Sequence, residues 1–261
     1  MVNRKRITAI IQARIGSTRL PGKVMRPILG KPMLQHIVER LRSVEAIDKV
    51  VVATSESGKD DRLAEFCDDC SIPFYRGSEE DVLDRFYHAA KNFGGEHMIR
   101  ITGDCPLIDP LVVSRLIAYY FQNGFDFCGV AAGAGVAGRE VVGRYPDGLD
   151  AEIFSMEILT IAWREAKSEL HREHVTPFIW QQPERFRLEA LYPENGDYSH
   201  CRWTVDNRED LALVHWIYEE LYSTNTGFGM KEILELLNNH PEKADSNTRF
   251  IGKEGYEKFS T

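Results

Sequence analysis

No stretch of this 261-residue chain stays apolar for the roughly twenty residues that a membrane-spanning helix needs, so no association with a membrane is expected. The N-terminus, MVNRKR followed by a strand-like run, lacks the architecture of a secretory signal. Cysteine is scarce and odd in number, five in all, the usage of a reducing cytoplasm. Cys67 and Cys70 form a lone CxxC with no second pair at zinc-finger spacing. Leu63, Phe66, Cys67 and Cys70 share one face of a helical pattern, which reads as packed thiols rather than a metal or redox site. Positive charge is also in deficit: the formal net charge of −8 argues against general nucleic-acid binding, yet leaves room for a local basic pocket. No internal repeat is found. A hydrophobic content of 43% supplies a proper core for one large α/β domain, or one with a small subdomain.

What is present is concentrated near the start. Ile7 to Ala13 is a short apolar run that predicts a buried parallel strand. The loop after it carries three cations, Arg14, Arg19 and Lys23, two glycines, Gly16 and Gly22, and two hydroxyls, Ser17 and Thr18. Glycines let a backbone approach phosphate oxygens, and Arg or Lys neutralises their charge, so the loop reads as an anion site. Neither familiar phosphate loop fits. The Walker pattern fails because five residues separate the glycines and Val24 follows the lysine, and GxGxxG fails as well. An exposed basic loop without a ligand is the alternative reading.

Strand and helix patterns alternate through the first half. Strands are predicted near Ile7–Ala13, Lys49–Thr54, Pro73–Tyr75, His97–Thr102 and Phe125–Gly129. Helices are predicted near Met33–Ser43, Asp60–Cys70, Glu80–Phe93 and Pro110–Gln122. Repeated βαβ units imply a mostly parallel sheet covered by helices on both faces, with ligands outside the carboxyl ends of the strands. The basic loop, and the residues after Thr54 and Thr102, lie at that edge. The rhythm breaks in a Gly-rich piece from Ala131 to Gly148, of a length typical of lids or disordered loops. Residues 131–199 are expected to form an inserted subdomain, with helices near Ser155–Lys167 and Glu173–Gln182 and a strand at Phe186–Leu191. A further strand, Cys201–Val205, leads to Asp206 and a helix near Arg208–Tyr222. Residues 240–261 read as a polar tail that packs poorly.

Asp104 ends the strand pattern MIRITGD, and Asp206 ends CRWTVD. Both carboxylates should stand at the sheet edge facing the basic loop. Two carboxylates beside a phosphate cradle are what Mg²⁺ requires, whereas each Asp alone could merely cap the element that follows it. Cys105 beside Asp104 has no positioned histidine and reads as a packed thiol, not a nucleophile.

The runs AIIQARIGSTRLPGK, LGKPMLQHIVERL and VVVAT resemble the sugar cytidylyltransferases, the superfamily of the CMP-Kdo and CMP-sialate synthetases. RITGDCPLIDP and WTVDNREDL are similar to its two metal-site segments. RGSEEDVLDRF, GLDAEIFS and REHVTPFIW resemble the SpsF-like branch of spore-coat polysaccharide proteins. The resemblance spans roughly Ile7 to Leu221. It implies a three-layer α/β/α, Rossmann-like nucleotide-diphospho-sugar transferase fold that takes CTP and a sugar or sugar-acid acceptor. By matching position, it implies that Arg14 and Lys23 hold the triphosphate and act in catalysis with Asp104. Gln12, Ala13, Gly16 and Ser17 would line the nucleotide pocket, and Thr54, Arg76, Arg100 and Thr102 would lie near the base and ribose. Asp104 and Asp206 would hold Mg²⁺. Arg100 and Cys105 depart from the Asn-Ile-Gln-Gly-Asp-Glu type of segment in the Kdo enzymes.

The acceptor site is expected in the insertion. Asp150 and Glu152 alternate at strand spacing and can face one side, while Arg172 or His174 could hold an acceptor carboxylate. The cluster from His171 to His174 could equally be a salt-bridged helix surface. Phe178, Trp180 and Phe186 are either core or the contact of a homodimer, since the resemblance implies pairing through the insertion. The expected activity is transfer of CMP from CTP to an acidic or amino sugar, for surface polysaccharide or glycoconjugates. A sugar-1-phosphate nucleotidyltransferase using another NTP shares the same logic. A glycosyltransferase of the same fold is a further alternative, but such enzymes usually carry an Asp-x-Asp triplet, and none occurs in this chain.

Overall fold

The computed structural model describes residues 5–132 and 143–251, so most of the Gly-rich piece and the last ten residues lie outside the described residues. In chain order the first half holds β1 (Ile7–Gln12), the short β2 (Pro27–Ile28) and β3 (Lys31–Pro32), α1 (Met33–Arg42), β4 (Lys49–Ser55), α2 (Asp61–Asp69), β5 (Phe74–Gly77), α3 (Val82–Phe93), β6 (His97–Thr102) and α4 (Pro110–Asn123). The second half holds β7 (Phe127–Val130), β8 (Glu152–Ser155), α5 (Met156–Glu165), α6 (Glu169–His174), α7 (Pro177–Trp180), β9 (Leu188–Leu191), α8 (Arg208–Leu221), α9 (Met230–Asn238) and α10 (Pro241–Ala244).

Seven of the strands form one sheet in the order β5-β4-β1-β6-β8-β7-β9. β1 sits between β4 and β6 and pairs with both in parallel, and β8 runs antiparallel to β6 and β7. Alternation along β1 serves two cores. Ile7, Ala9 and Ile11 pack with residues of α1, α2, α4, α8 and α9, while Ile10 packs with residues of α3, α5 and α7. A strand buried on both faces has no polar side to show, which is why these strands read as continuous apolar runs. The predicted three-layer α/β fold is the one observed.

Local chemistry fixes the helix ends. Asp109 caps α4 by accepting from Leu111 N at 2.7 Å, Pro110 occupies the first turn, and Gly124 closes it at φ 63°. The other Asp109 oxygen accepts from Met230 N at 2.7 Å, so one carboxylate serves the first turns of α4 and α9.

Three expectations need correction. The segment 131–199 does not stand apart from the main sheet: β8 and β9 are two of its strands. The helix predicted at Glu173–Gln182 is instead α6 and α7, broken where Val175 takes φ 72° and Pro177 begins a new first turn. Cys201–Val205 is not a sheet strand. It runs extended across the carboxyl edge, joined to the Asp147 loop by a single bridge at Arg202. Trp203 N donates to Asp147 O at 2.7 Å, and Val205 N to Asp104 O at 2.8 Å, so loop carbonyls satisfy this backbone in place of a neighbouring strand. In the described part of the expected polar tail, Asn247 is buried, at 1% exposed, while its neighbours are exposed or half-exposed. Among the described residues no helix is long and apolar enough to cross a membrane.

Gly148 makes that crossing possible. Its φ is +103°, and a Cβ there would lie 2.5 Å from Thr204 N. Gly148→Ala is therefore expected to cost about 2 kcal/mol or more, lowering the melting temperature by roughly 5 °C in a chain of this size. A thermal melt of the variant within 1 °C of wild type (about the noise of such a scan) would refute the close approach.

Candidate active site

The basic loop is folded around the peptide of Ile15. Its carbonyl accepts from Ser17 N at 2.8 Å and from Gly22 N at 3.1 Å, and its N–H donates to the buried Asp60 carboxylate at 2.6 Å. Gly22, at φ 69°, precedes a 3-10 turn over Lys23–Met25. This turn sends the Lys23 side chain inward, where it is 12% exposed, whereas Arg14 and Arg19 remain nearly half exposed.

Lys23 Nζ donates to Asp104 Oδ2 at 2.9 Å, to Asp206 Oδ1 at 2.7 Å and to Val205 O at 2.9 Å. Two carboxylates separated by a hundred residues thus meet on one ammonium. Asp206 Oδ2 accepts from Arg19 at 2.9 Å and from the buried Arg202 at 3.1 Å. Arg202 also pairs with Asp147 at 2.8 Å and Asp210 at 3.2 Å. Burial acts to lower the Lys23 pKa, but Asp104 and Asp206 outweigh it and leave it raised. Burial acts to raise the Asp104 pKa, and the Lys23 charge together with hydrogen bonds from Thr102 and Lys23 overrides this, holding the carboxyl at about 2.

Arg19, Lys23, Asp104 and Asp206 line a cleft of about 370 Å³ at the carboxyl edge of the sheet. Gln12, Ala13, Arg14, Gly16, Ser17, Lys23, Arg100, Thr102, Asp104, His174 and Asp206 are all brought to it, as the sequence suggested. Arg100 reaches across β1 to Gln12 and across the β6–β8 pair to Glu152, at 2.6 Å. Glu152 in turn accepts from Thr176 at 3.0 Å, tying Arg100 to the turn that carries His174.

Other candidates point elsewhere. Arg76 turns back to Ser55 O, Ser57 O and Asp61. Thr54 is fully buried and does not line the cleft. Arg172 is spent on Asp81, at 2.5 Å, and on Trp163 O, which makes it the salt-bridged helix group of the blander reading. Asp150 accepts from Gly148 N and holds that turn. Phe178 and Phe186 are buried in the core and Trp180 is half-buried. Cys105 is buried, and burial with the nearby Asp104 pushes its thiol well above the ordinary value, against any nucleophilic role.

Sequence reasoning missed Arg85 and the Arg202 network, while Glu173 entered only as a member of the His171–His174 cluster. The available signal for Arg85 was a cation on the inward face of α3, among Leu83, Phe86 and Ala90.

The cytidylyltransferase family profile matches residues 8–236. This chain belongs to the cytidylyltransferase family. It is 33% identical over 244 residues to the spore coat polysaccharide biosynthesis protein SpsF of Bacillus subtilis, covering 91% of this chain and 96% of that one. It is 39% identical over 119 residues to the 3-deoxy-manno-octulosonate cytidylyltransferase of Geobacter sulfurreducens, covering 45% and 46%. A solved cytidylyltransferase from Leptospira borgpetersenii superposes with a TM-score of 0.82 at 27% identity, over 92% of this chain and 97% of that one. The CMP-2-keto-3-deoxy-manno-octonic acid synthetase solved with CTP shares the fold, at TM-score 0.61 and 18% identity over 82% and 98%. As a cytidylyltransferase the chain is a nucleotidyltransferase.

The cleft also suits a hard cation. Asp104 Oδ2 and Asp206 Oδ1 both face the point that the Lys23 ammonium occupies, and both are oxygen donors of the kind Mg²⁺ takes. Among the described residues no group of three or more His, Cys, Asp or Glu could hold a metal, so such a cation would draw its remaining ligands from phosphate and water.

The Asp104 carboxyl predicts an acid-limb signature. Its folded value of about 2 lies below the ordinary 3.8, so its stabilisation is present above about pH 4 and is lost as pH falls toward 2. In thermal melts without divalent ions, the wild type is expected to lose its advantage over Asp104→Asn across that window. A difference that stays constant from pH 5 to pH 2.5 (either side of the ordinary carboxylate range) would contradict the assignment.

Proposed function

We propose that this cytidylyltransferase is Mg²⁺-dependent and transfers CMP from CTP to an acidic or amino sugar, releasing pyrophosphate, in the synthesis of a surface polysaccharide or glycoconjugate. The observation that carries this reading is the convergence of Asp104 and Asp206 on Lys23, inside a cleft walled by the basic loop. The likeness to SpsF supports the polysaccharide context, and the likeness to the octulosonate enzymes supports a sugar-acid acceptor.

An acceptor hydroxyl oxygen forms a bond to the α-phosphorus of CTP, the bond from that phosphorus to the bridging oxygen breaks, and pyrophosphate leaves with the electron pair. The hydroxyl proton passes to solvent. Arg14, Arg19 and Lys23 stand where charge grows on the phosphates, and the Lys23 ammonium would turn from Asp104 and Asp206 toward the phosphates as a cation takes its place between them. Asp104 and Asp206 would hold Mg²⁺, whose chemistry there is neutralisation of phosphate charge. The wall built from Arg100, Glu173 and His174 is assigned to the acceptor, since it offers cationic and anionic groups together, as an acidic or amino sugar requires. The protein thus works by positioning and charge, without a covalent intermediate.

Pyrophosphate release from CTP, screened over keto-acid and amino sugars with Mg²⁺, tests this directly. Asp104→Asn and Asp206→Asn are each expected to lower turnover by about a hundredfold or more while circular dichroism stays native. Turnover unchanged in both variants would sink the metal assignment.

A further inference from the structure

Five cations line the cleft: Arg14, Arg19, Lys23, Arg85 and Arg100. Four have a carboxylate within reach. Lys23 has Asp104 and Asp206, Arg19 has Asp206, Arg100 has Glu152, and Arg14 has Glu79 at 4.0 Å. Arg85 differs. It is 3% exposed, and no carboxylate among the described residues lies within ion-pair distance of it. Its Nη1 donates to the carbonyls of Ser78 and Glu79, while its Nε has no hydrogen-bond partner.

A buried guanidinium without an ion-pair contact is costly, because burial disfavours the charge and Asp60, Glu79 and Asp81 offset it only from beyond contact distance. The cost shows in its pKa, brought down to about 10 by burial and then by the neighbouring charge of Arg14. The fold nevertheless holds the side chain firmly. Gly77 lacks a Cβ where one would come 3.1 Å from Arg85 Cγ and 3.0 Å from the Tyr75 ring. The Ser78 and Glu79 carbonyls then aim the guanidinium plane. A group that is expensive, fixed and beside a like charge on the wall of a ligand cleft is one whose partner comes with the ligand.

We propose that Arg85 is a nucleotide-binding residue of this cleft, kept without a protein counter-ion so that its guanidinium can donate to an acceptor atom of the bound nucleotide. The proposal rests on the cytidylyltransferase reading for the identity of that nucleotide. Two parts of a nucleotide present such acceptors. One is the phosphate oxygens, which would relieve the repulsion between Arg14 and Arg85. The other is the carbonyl and ring-nitrogen edge of cytosine, where uracil offers a donor instead.

The test is calorimetric binding of CTP, UTP and inorganic pyrophosphate to wild type, Arg85→Met and Arg85→Lys, with melting temperatures of the unliganded proteins. Arg85→Met is expected to keep or raise the melting temperature while weakening CTP by about tenfold to a hundredfold. Arg85→Lys, which keeps the charge but loses the planar fork, is expected to weaken CTP by about threefold to tenfold, and it serves if the Met variant does not fold. Pyrophosphate weakened in parallel would place the contact at the phosphates. Pyrophosphate unchanged, with loss of the preference for CTP over UTP, would place it at the base, and either result supports the proposal. A lowered melting temperature with unchanged CTP affinity would make Arg85 structural and overturn it. Wild type that binds pyrophosphate but not CTP would overturn the cytidine reading, while the pyrophosphate comparison still decides the role of Arg85.

Discussion

The carboxylate of Asp206 is the point on which the carboxyl edge of this molecule is balanced. One oxygen accepts from Lys23 and the other from Arg19 and Arg202, so two cations of the basic loop and one from the segment before α8 share one anion. Arg202 is 2% exposed and is countered by Asp147 and by the fully buried Asp210. Asp210 in turn accepts from the backbone N–H groups of Asp206 and Asn207, and from the side chain of Asn247. A buried cluster of this kind is tolerable only when every charge is matched, and removal of one member leaves another uncompensated. It therefore constrains the basic loop, the Asp147 turn, the start of α8 and the segment after α10 together. The fixed position of Lys23 is a consequence of that constraint and not of the loop alone.

The topology explains why these groups could meet. β1 is central, with β4 and β6 as parallel neighbours, so the loops after β1 and β6 open on the same edge. Ligands of open α/β sheets bind at that edge because the helices cover both faces and leave the loop end exposed. The antiparallel β8 then places Glu152 directly opposite Arg100 on β6. A cross-strand ion pair at that register both pins the strand and holds Arg100 toward Gln12 and the cleft.

The parts of the fold that were readable in the sequence are those governed by local period. The core of the run from Lys49 to Ser55, Val50 to Ala53, is apolar and rich in β-branched valine, which marks a buried strand, and Asp109-Pro110 announces the start of α4. Cys201–Val205 alternates apolar and polar side chains as any extended segment can, in a sheet or not, and here the polar Arg202 and Thr204 are buried as well. The helix over Glu173–Gln182 failed at Val175, where a positive φ in a β-branched residue is imposed by tertiary packing that no propensity reports. In the site, the loop cations and both aspartates were readable because strand ends and charge are local signals. Arg76 faces Asp61 because pleat direction at the end of β5 sends it away from the cleft, which spacing alone could not decide. Arg85 was hidden by the opposite problem: a buried arginine in an apolar stripe looks like an error of pattern until its surroundings are known.

The charge of the cleft is opposite to that of the molecule around it. The chain carries a net charge of −8, yet five cations and only three carboxylates, Asp104, Glu173 and Asp206, line the cleft among the described residues. An extended polyanion such as a nucleic acid meets the repulsion of the whole acidic surface and gains from one small region. A compact anion the size of a nucleotide meets mainly the local field, which focuses in a low-dielectric recess. Within that recess the cations are not equivalent. Lys23, Arg19 and Arg100 are already hydrogen-bonded to protein carboxylates, so a ligand that engages them must compete with bonds in place, and their net contribution to affinity is reduced accordingly. They supply geometry more than attraction. Attraction falls to Arg14, whose nearest carboxylate is 4.0 Å away, and to the unpaired Arg85, which divides the cleft into groups that orient a ligand and groups that draw it in.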